Sequence, residues 1–386
     1  MARILNIVPS EQRIRPHKLE EGVTCQYKVI EADDGQRLVH LSTFGSDGRE
    51  SPPKSSQSMQ FDREHALELI GILQNAFGRG AQRNRSDEEV VEPNFLDATD
   101  KLADELNVSK DWLQQCIELI RDRPQLVFYG PPGTGKTYIA KAIAEHISGH
   151  DNVMMVQFHP SYSYEDFFEG FRPSKSNNGQ LLYDVHRGPL KTMADAATKN
   201  PDKIYTLVID EMNRGNIAKT FGELYFLLEY RNNDLSLMYS DEMDPAFSLP
   251  KNLVIIGTMN TADRSIALLD SAMRRRFAFV PLHPSEEPTR SILREWLKKG
   301  KHADEIADLL DTLNAEIDSD DYKIGPSYFM RSAALTPDGI ERTWRTSILP
   351  LLEEYHYGDR NIVVREKYSL SRIQGIASDS RSTTDA

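Results

Sequence analysis

The sequence predicts an α/β fold in which a parallel sheet is covered by helices on both faces, followed by a helical lid and preceded by a small α+β domain. Three observations carry this. From residue 125 onward, continuous apolar runs at 125–129, 153–158, 205–209 and 253–257 alternate with helical stretches, and 277–282 adds a fifth short run. Runs without polar alternation mark strands buried on both faces. Beyond Pro284 the pattern turns helical, interrupted at Ile324-Gly325-Pro326. Ahead of all this, residues 23–29 alternate apolar with polar side chains and the pattern starts again at 38–44, the period and turn chemistry of a β-hairpin.

In chain order, Val23, Cys25, Tyr27 and Val29 fall on one side of a first strand, Asp33-Asp34-Gly35 supplies a turn, and residues 38–44 return. After the polar loop SDGRESPPKSSQ, a strand at 58–61 leads to Asp62, a good helix N-cap, then to Ala66, Leu69, Ile70, Leu73 and Phe77 at helical spacing. Residues 1–80 therefore read as one small domain. GRGAQRNRSDEEVVEP has glycine, proline and charge runs without apolar period, so residues 81–97 read as a linker. Two helical patterns follow, the second capped by Ser109 and turning Trp112, Leu113, Cys116, Ile117 and Ile120 inward. Residues 98–283 form the core domain and 284–370 the lid, while residues 371–386 are expected to be a disordered tail, too polar to pack.

At 386 residues the chain has room for two or three domains. The net charge of -13 is uneven, because residues 1–85 balance to +1 and the remainder carries -14. Such acidity argues against a chain that coats itself with nucleic acid, although one local basic face would suffice to contact phosphates. No apolar run has the roughly 18 residues of a membrane span, and the start MARILNIVPSEQR lacks a signal-peptide core. A cytoplasmic location without membrane contact is expected. The two cysteines, Cys25 and Cys116, make neither a disulfide framework nor a zinc site and read as buried, reduced thiols.

Gly130-Pro131-Pro132-Gly133-Thr134-Gly135-Lys136-Thr137 is a complete G-x-x-x-x-G-K-[ST] loop between an expected strand and an expected helix. Its backbone N–H groups face phosphate oxygens, Lys136 reaches the terminal phosphates, and Thr137 reaches a Mg2+. Asp210 and Glu211 end the apolar strand 205–209, the first to hold Mg2+ and the second to polarise the attacking water. Asn260-Thr261-Ala262-Asp263 looks like the guanine-reading Asn-Lys-x-Asp of GTPases, but it lacks the lysine and follows the strand 253–257 directly. Asn260 is therefore expected beside the terminal phosphate or the attacking water, with base reading by Asp263 the lesser alternative. Arg274-Arg275-Arg276 cannot all pair locally; Arg275 or Arg276 presented to a neighbouring subunit's terminal phosphate would imply a ring, and a surface ion pair is the other reading.

These motifs in this order resemble an AAA+ P-loop NTPase domain, and more narrowly the McrB family, the NTP-driven motor subunits of modification-dependent restriction systems. FHPSYSYEDFFEGFRP, LLYDVHRGPL, DEMNRGNIAKTFGEL, MNTADRS, MRRRF, IGPSYFM and ILPLLEEYHYGD carry the resemblance, which spans about residues 110 to 365. It implies a homo-oligomeric ring, usually a hexamer, a separate McrC-like nuclease subunit, and GTP rather than ATP as the favoured fuel. It also implies that Asn213 and Arg214 sit at the subunit interface, and that Asp263 and Arg264 tie their loop to its surroundings or to the partner, local ion pairs being the alternative. Tyr162, Tyr164 and Phe167 are expected to pack the motor rather than stack on bases. Asp321-Tyr322-Lys323 matches the end of a metal-nuclease motif by chance only, so DNA cleavage is expected from the partner.

The first domain is weakly similar to single-stranded-DNA-binding coactivator folds. Tyr27, Lys28, Arg37, Phe44 and Lys54 are its candidates for base stacking and phosphate neutralisation, while a protein-docking or oligomerisation module remains open. Two rival functions also stay open: an ATP-dependent, MoxR-like protein-remodelling chaperone, and a nucleotide-gated assembly scaffold.

Overall fold

The computed structural model describes residues 2–4, 6–7, 25–32, 36–44, 55–77, 93–175, 181–231, 233–239, 246–262, 271–359 and 361–384. The chain divides into two compact units, Met1–Glu89 and Val90–Ala386.

In the first unit, β1 (Ala2–Arg3), β2 (Cys25–Glu31), β3 (Arg37–Phe44) and β4 (Ser55–Phe61) form one sheet in the order β1-β4-β3-β2, followed by helix α1 (Arg63–Phe77). The antiparallel register sets Tyr27 opposite Leu41 and Val29 opposite Val39. As expected, Asp62 caps α1, its Oδ1 accepting from His65 N at 3.0 Å. β2 forms where the alternation predicts, but its apolar side is not buried: Tyr27 is 77% and Val29 59% accessible, and along the strand only Ile30 is half-buried. Cys25 is exposed as well, which corrects the expectation of two buried thiols. Among the described residues β2 lies at the edge of the sheet and pairs with β3 alone. Ile70 of α1 is also exposed rather than inward.

The second unit opens with α2 (Asp100–Leu106) and α3 (Lys110–Asp122), then β5 (Gln125–Gly130), α4 (Lys136–Ser148) and β6 (Val153–Gln157). Ser109 caps α3 by accepting from Trp112 N at 3.2 Å, as its position predicts. A short helix α5 (Tyr164–Phe167) and the hairpin β7 (Glu169–Lys175) and β8 (Leu181–Arg187) precede α6 (Pro189–Lys199) and β9 (Tyr205–Asp210). There follow α7 (Ile217–Phe221), α8 (Leu224–Glu229), β10 (Leu253–Asn260), α9 (Ser271–Arg276) and β11 (Ala278–Pro281). The five core strands run parallel in the order β11-β5-β10-β9-β6.

Both faces of the inner strands β5, β10 and β9 are buried, which is why they show no alternation, whereas the edge strand β6 is only half-buried, with Met155 44% exposed. Leu126, Phe128, Val208, Val254 and Ile256 pack one way against Ile117, Ile139 and Ile143. Val127, Leu207, Ile209, Leu253 and Ile255 pack the other way with Phe167, Leu190, Phe221 and Leu227. Tyr162, Tyr164 and Phe167 belong to this packing: Tyr162 stacks on Phe158 with centroids 4.8 Å apart, and Phe167 is fully buried.

The lid comprises α10 (Thr289–Lys299), α11 (Glu305–Glu316), α12 (Pro337–Thr343), α13 (Leu349–Tyr355), α14 (Val364–Lys367) and α15 (Leu370–Thr384), with a π-helical turn at Trp344–Ile348 between α12 and α13. Its core joins Leu297, Leu313, Phe329, Trp344, Ile348, Leu352 and Tyr368. Trp344 is buried with its ring N–H satisfied, Nε1 donating to Tyr368 O at 2.8 Å. The tail expected to lie free is instead helical in α15. Ile373 is fully buried in the lid core, Leu370 and Ile376 pack against it, and Arg372 pairs with Glu316 at 3.2 Å. Three apolar residues at three-residue spacing are enough to dock a helix whose remaining side chains are polar. Among the described residues no helix is long and apolar enough to cross a membrane.

Candidate active site

The phosphate loop joins β5 to the N-terminus of α4, whose unsatisfied N–H groups are the physical basis of anion binding. Gly130 begins it at φ +152, where a Cβ would lie 2.2 Å from Leu282 O, and Gly133 follows at φ +80. Both positions exclude other residues, the first for space and the second for backbone conformation. Inside the loop, Thr134 Oγ1 donates to Pro131 O at 3.1 Å. Lys136 is 7% exposed and folds back, its Nζ donating to Gly130 O at 3.0 Å and Pro131 O at 2.7 Å.

β9 delivers Asp210 beside the loop. Thr137 Oγ1 donates to Asp210 Oδ1 at 2.6 Å, so hydroxyl and carboxylate stand side by side as hard oxygen donors, the set that suits Mg2+. Glu211 adopts a left-handed backbone, φ 52 and ψ 43, unusual for a side chain with a Cβ and costing on the order of 1–3 kcal/mol. That turn brings its carboxylate to β10, where Asn260 Nδ2 donates to Glu211 Oε1 at 2.5 Å. Arg214 Nε approaches Glu211 Oε2 at 3.4 Å. Asn260 itself pairs in register with Gly130, and Thr261 N donates to Gly130 O at 3.1 Å. The stretch that looks like a base reader is thus bonded to the start of the phosphate loop.

Two expected roles need correcting. Asn213 is 4% exposed and faces inward, its Nδ2 donating to Asn260 O at 2.9 Å, so its amide braces two strand ends instead of an outer surface. Arg276 is held by Glu229 at 2.8 Å and lies over the Tyr225 ring, with 13% of its side chain exposed; it is the local ion pair of the two readings. Arg275, by contrast, is exposed, on the rim of a cleft of about 860 Å³ at the amino ends of the core strands, which Arg123, Arg231 and Lys251 also line. Arg123 Nη1 donates to Arg275 O at 2.6 Å and fixes the backbone there. Asp263 and Arg264 lie outside the described residues.

The lid contributes contacts that sequence reading missed. Gly325 N donates to Pro132 O at 3.2 Å and Ser327 N to Gly133 O at 3.0 Å, so the IGPSY segment sits directly on the phosphate loop. The Tyr328 ring fills the space beside Gly133, where a Cβ would meet it at 2.6 Å. Burial raises the Tyr328 phenol above its ordinary range. The proline-interrupted segment was visible in sequence, but nothing in it marked the phosphate loop as its partner.

In the first unit, Tyr27, Lys28 and Arg37 are all exposed. The register puts Tyr27 opposite Leu41 and Glu31 opposite Arg37, while Lys28 lies opposite His40. Tyr27 and Arg37 therefore share a face and Lys28 points to the other, so the candidates do not form one patch. Phe44 ends β3, with its side chain outside what is described, and Lys54 lies outside the described residues.

Residues 125–277 match the AAA domain (dynein-related subfamily), and residues 305–363 match the McrB alpha-helical lid domain. The chain is 32% identical to the Type IV methyl-directed restriction enzyme EcoKMcrB subunit of Escherichia coli (strain K12), over 83% of this chain and 72% of that one. It is 28% identical to the Type II restriction enzyme BsuMI component YdiS of Bacillus subtilis (strain 168), over 40% of this chain and 55% of that one. A phosphate loop closed by a lid of this type, together with an E. coli relative aligned along most of both chains, places the protein in the McrB family of AAA+ NTPases.

Proposed function

We propose that the protein is the ring-forming motor of a two-component restriction system, hydrolysing GTP in preference to ATP to drive a McrC-like nuclease subunit. The observation that carries this reading is the convergence of Lys136, Thr137, Asp210, Glu211 and Asn260 on one phosphate loop in a McrB-family chain. Glu211 takes the proton side of the attacking water and Asn260 orients it or senses the terminal phosphate. Lys136 leaves its carbonyl partners for the β- and γ-phosphate oxygens. Thr137 and Asp210 would hold Mg2+, which supplies positive charge to the phosphate oxygens. Arg275 of an adjacent copy in a ring, probed first as a hexamer, neutralises charge developing in the transition state. Residues 1–80 contact DNA, with Tyr27 and Arg37 on the face to test first.

A second reading has one observation in its favour. The hairpin β7–β8 exposes Phe171, Leu181, Tyr183 and Val185, while its Arg172 and Arg187 are bonded to Asp166 and Asp195. An apolar surface with neutralised arginines suits a polypeptide, as a protein-remodelling ATPase would require.

Steady-state hydrolysis of GTP and ATP side by side, with Glu211→Gln as the blank, tests the first reading. GTP preference abolished by Glu211→Gln supports it. ATP preference favours the second, and full turnover in Glu211→Gln refutes the assignment of Glu211.

A further inference from the structure

We propose that the Thr258 hydroxyl is a positioning group that locks Asp210 and Glu211 into one fixed relation, setting both metal affinity and turnover. The inference rests on the NTPase reading and names a residue that the phosphate-loop and Asp-Glu motifs leave out.

Thr258 is 1% exposed on β10, in register with Phe128 of β5, while its neighbour Gly257 pairs with Ile209 of β9. It therefore stands between the strand that feeds the phosphate loop and the strand that ends in the two carboxylates. Its Oγ1 donates to Asp210 Oδ1 at 2.7 Å and accepts from Glu211 N at 3.2 Å. A hydroxyl has one proton and two lone pairs, so it can do both at once, which no apolar side chain of this size can.

Two consequences follow. Asp210 Oδ1 receives two hydroxyl protons, from Thr137 at 2.6 Å and from Thr258, and the carboxylate cannot rotate without losing them. Thr137 keeps its lone pairs for a cation while its O–H points at Asp210 Oδ1. The bond to Glu211 N anchors the peptide at the residue whose φ of 52 turns the carboxylate toward Asn260. One side chain thus aims the metal-holding carboxylate and the water-orienting one.

The test compares Thr258→Val, which keeps the shape and loses the hydroxyl, with Thr258→Ser, which keeps the hydroxyl and loses the methyl. Mn2+ binding to the full chain with a non-hydrolysable GTP analogue is followed by electron paramagnetic resonance, and GTP turnover is titrated with Mg2+. Loss of a group that orients a metal ligand typically costs 10- to 100-fold. Thr258→Val is expected to weaken Mn2+ and lower kcat by about that factor, with metal-free nucleotide binding unchanged, and Thr258→Ser to stay within a few-fold of the parent. Parental Mn2+ affinity and kcat in Thr258→Val overturn the proposal. If Thr258→Val fails to fold, Thr258→Ser decides, because a metal defect there assigns the role to the methyl group and overturns the proposal as well. A parent chain that binds no metal–nucleotide complex refutes the NTPase reading itself, and this inference with it.

Discussion

Gly325 holds the lid on the phosphate loop by having no side chain. At φ -76 and ψ 163 its backbone suits any residue, so the requirement is for space alone. A Cβ there would lie 2.1 Å from Gly133 C, 2.3 Å from Gly133 O and 2.4 Å from Thr134 N. Gly325→Ala must therefore back the segment away by roughly 1 Å, which stretches the bonds from Gly325 N and Ser327 N past hydrogen-bonding distance. Two such bonds at about 0.5–1.5 kcal/mol each, with about 1–3 kcal/mol of overpacking, give a cost of about 2–6 kcal/mol. Because Gly133 and Thr134 form the phosphate cradle, part of that cost falls on the nucleotide-bound state. Some 2 kcal/mol there weakens nucleotide binding roughly 30-fold. The assays are thermal unfolding and titration of a fluorescent nucleotide. Ser327→Ala is the control, since its bond comes from the backbone, and both quantities should stay near those of the parent. A Gly325→Ala protein with the parental Tm and Kd would refute the reasoning.

Three other outcomes are expected. Asn252 is 5% exposed and its Nδ2 donates to Ala197 O, Asn200 O and Lys203 O at 2.9, 3.0 and 2.7 Å; Asn252→Ala removes this shared donor, leaving Ala197 O and Asn200 O their backbone donors Asn200 N and Lys203 N, and should destabilise by about 1–3 kcal/mol in chemical denaturation. Arg276→Ala removes the partner of Glu229 and should lower the Tm, whereas Arg275→Ala should keep the Tm and lose turnover at concentrations where copies associate; the reverse pattern would exchange their roles. Thiol labelling at neutral pH should be fast at exposed Cys25 and slow at Cys116, which is 2% exposed and whose thiol burial pushes up to about 12. Equal rates would show that the α3 packing opens readily.

What was legible in sequence is what neighbouring residues decide among themselves. The phosphate loop, the Ser109 and Asp62 caps and the parallel strands each depend on a few consecutive residues, and each stands where its pattern put it, although the run at 153–158 forms an edge strand that is only half-buried. What was not legible depends on distant partners. Gly325 meets Pro132 across nearly two hundred positions through backbone atoms, which leave no composition signal. Asn213 and Arg276 look like outward polar groups until β10 and Glu229 are seen to hold them. The tail misled for a different reason: overall polarity hid Leu370, Ile373 and Ile376, whose spacing is all that a docked helix requires.

The resemblance of Asn260-Thr261-Ala262-Asp263 to a base-reading motif turns on which end of a nucleotide its first residues face. β10 answers for two of them. Asn260 is bonded to Glu211, and Thr261 N is bonded to Gly130 O, the first residue of the phosphate loop. A nucleotide whose phosphates lie in that loop would carry its base a sugar's length away from the loop. Thr258, two residues earlier on the same strand, engages Asp210 and the Glu211 backbone. On the function proposed above, the carboxyl end of β10 serves the phosphate end of the site, and selection between guanine and adenine comes from elements other than Asn260 and Thr261. Exchanging Asn260 for Ala should accordingly lower kcat for GTP and ATP by the same factor. A variant that instead changed the ratio between the two nucleotides would return the motif to base reading.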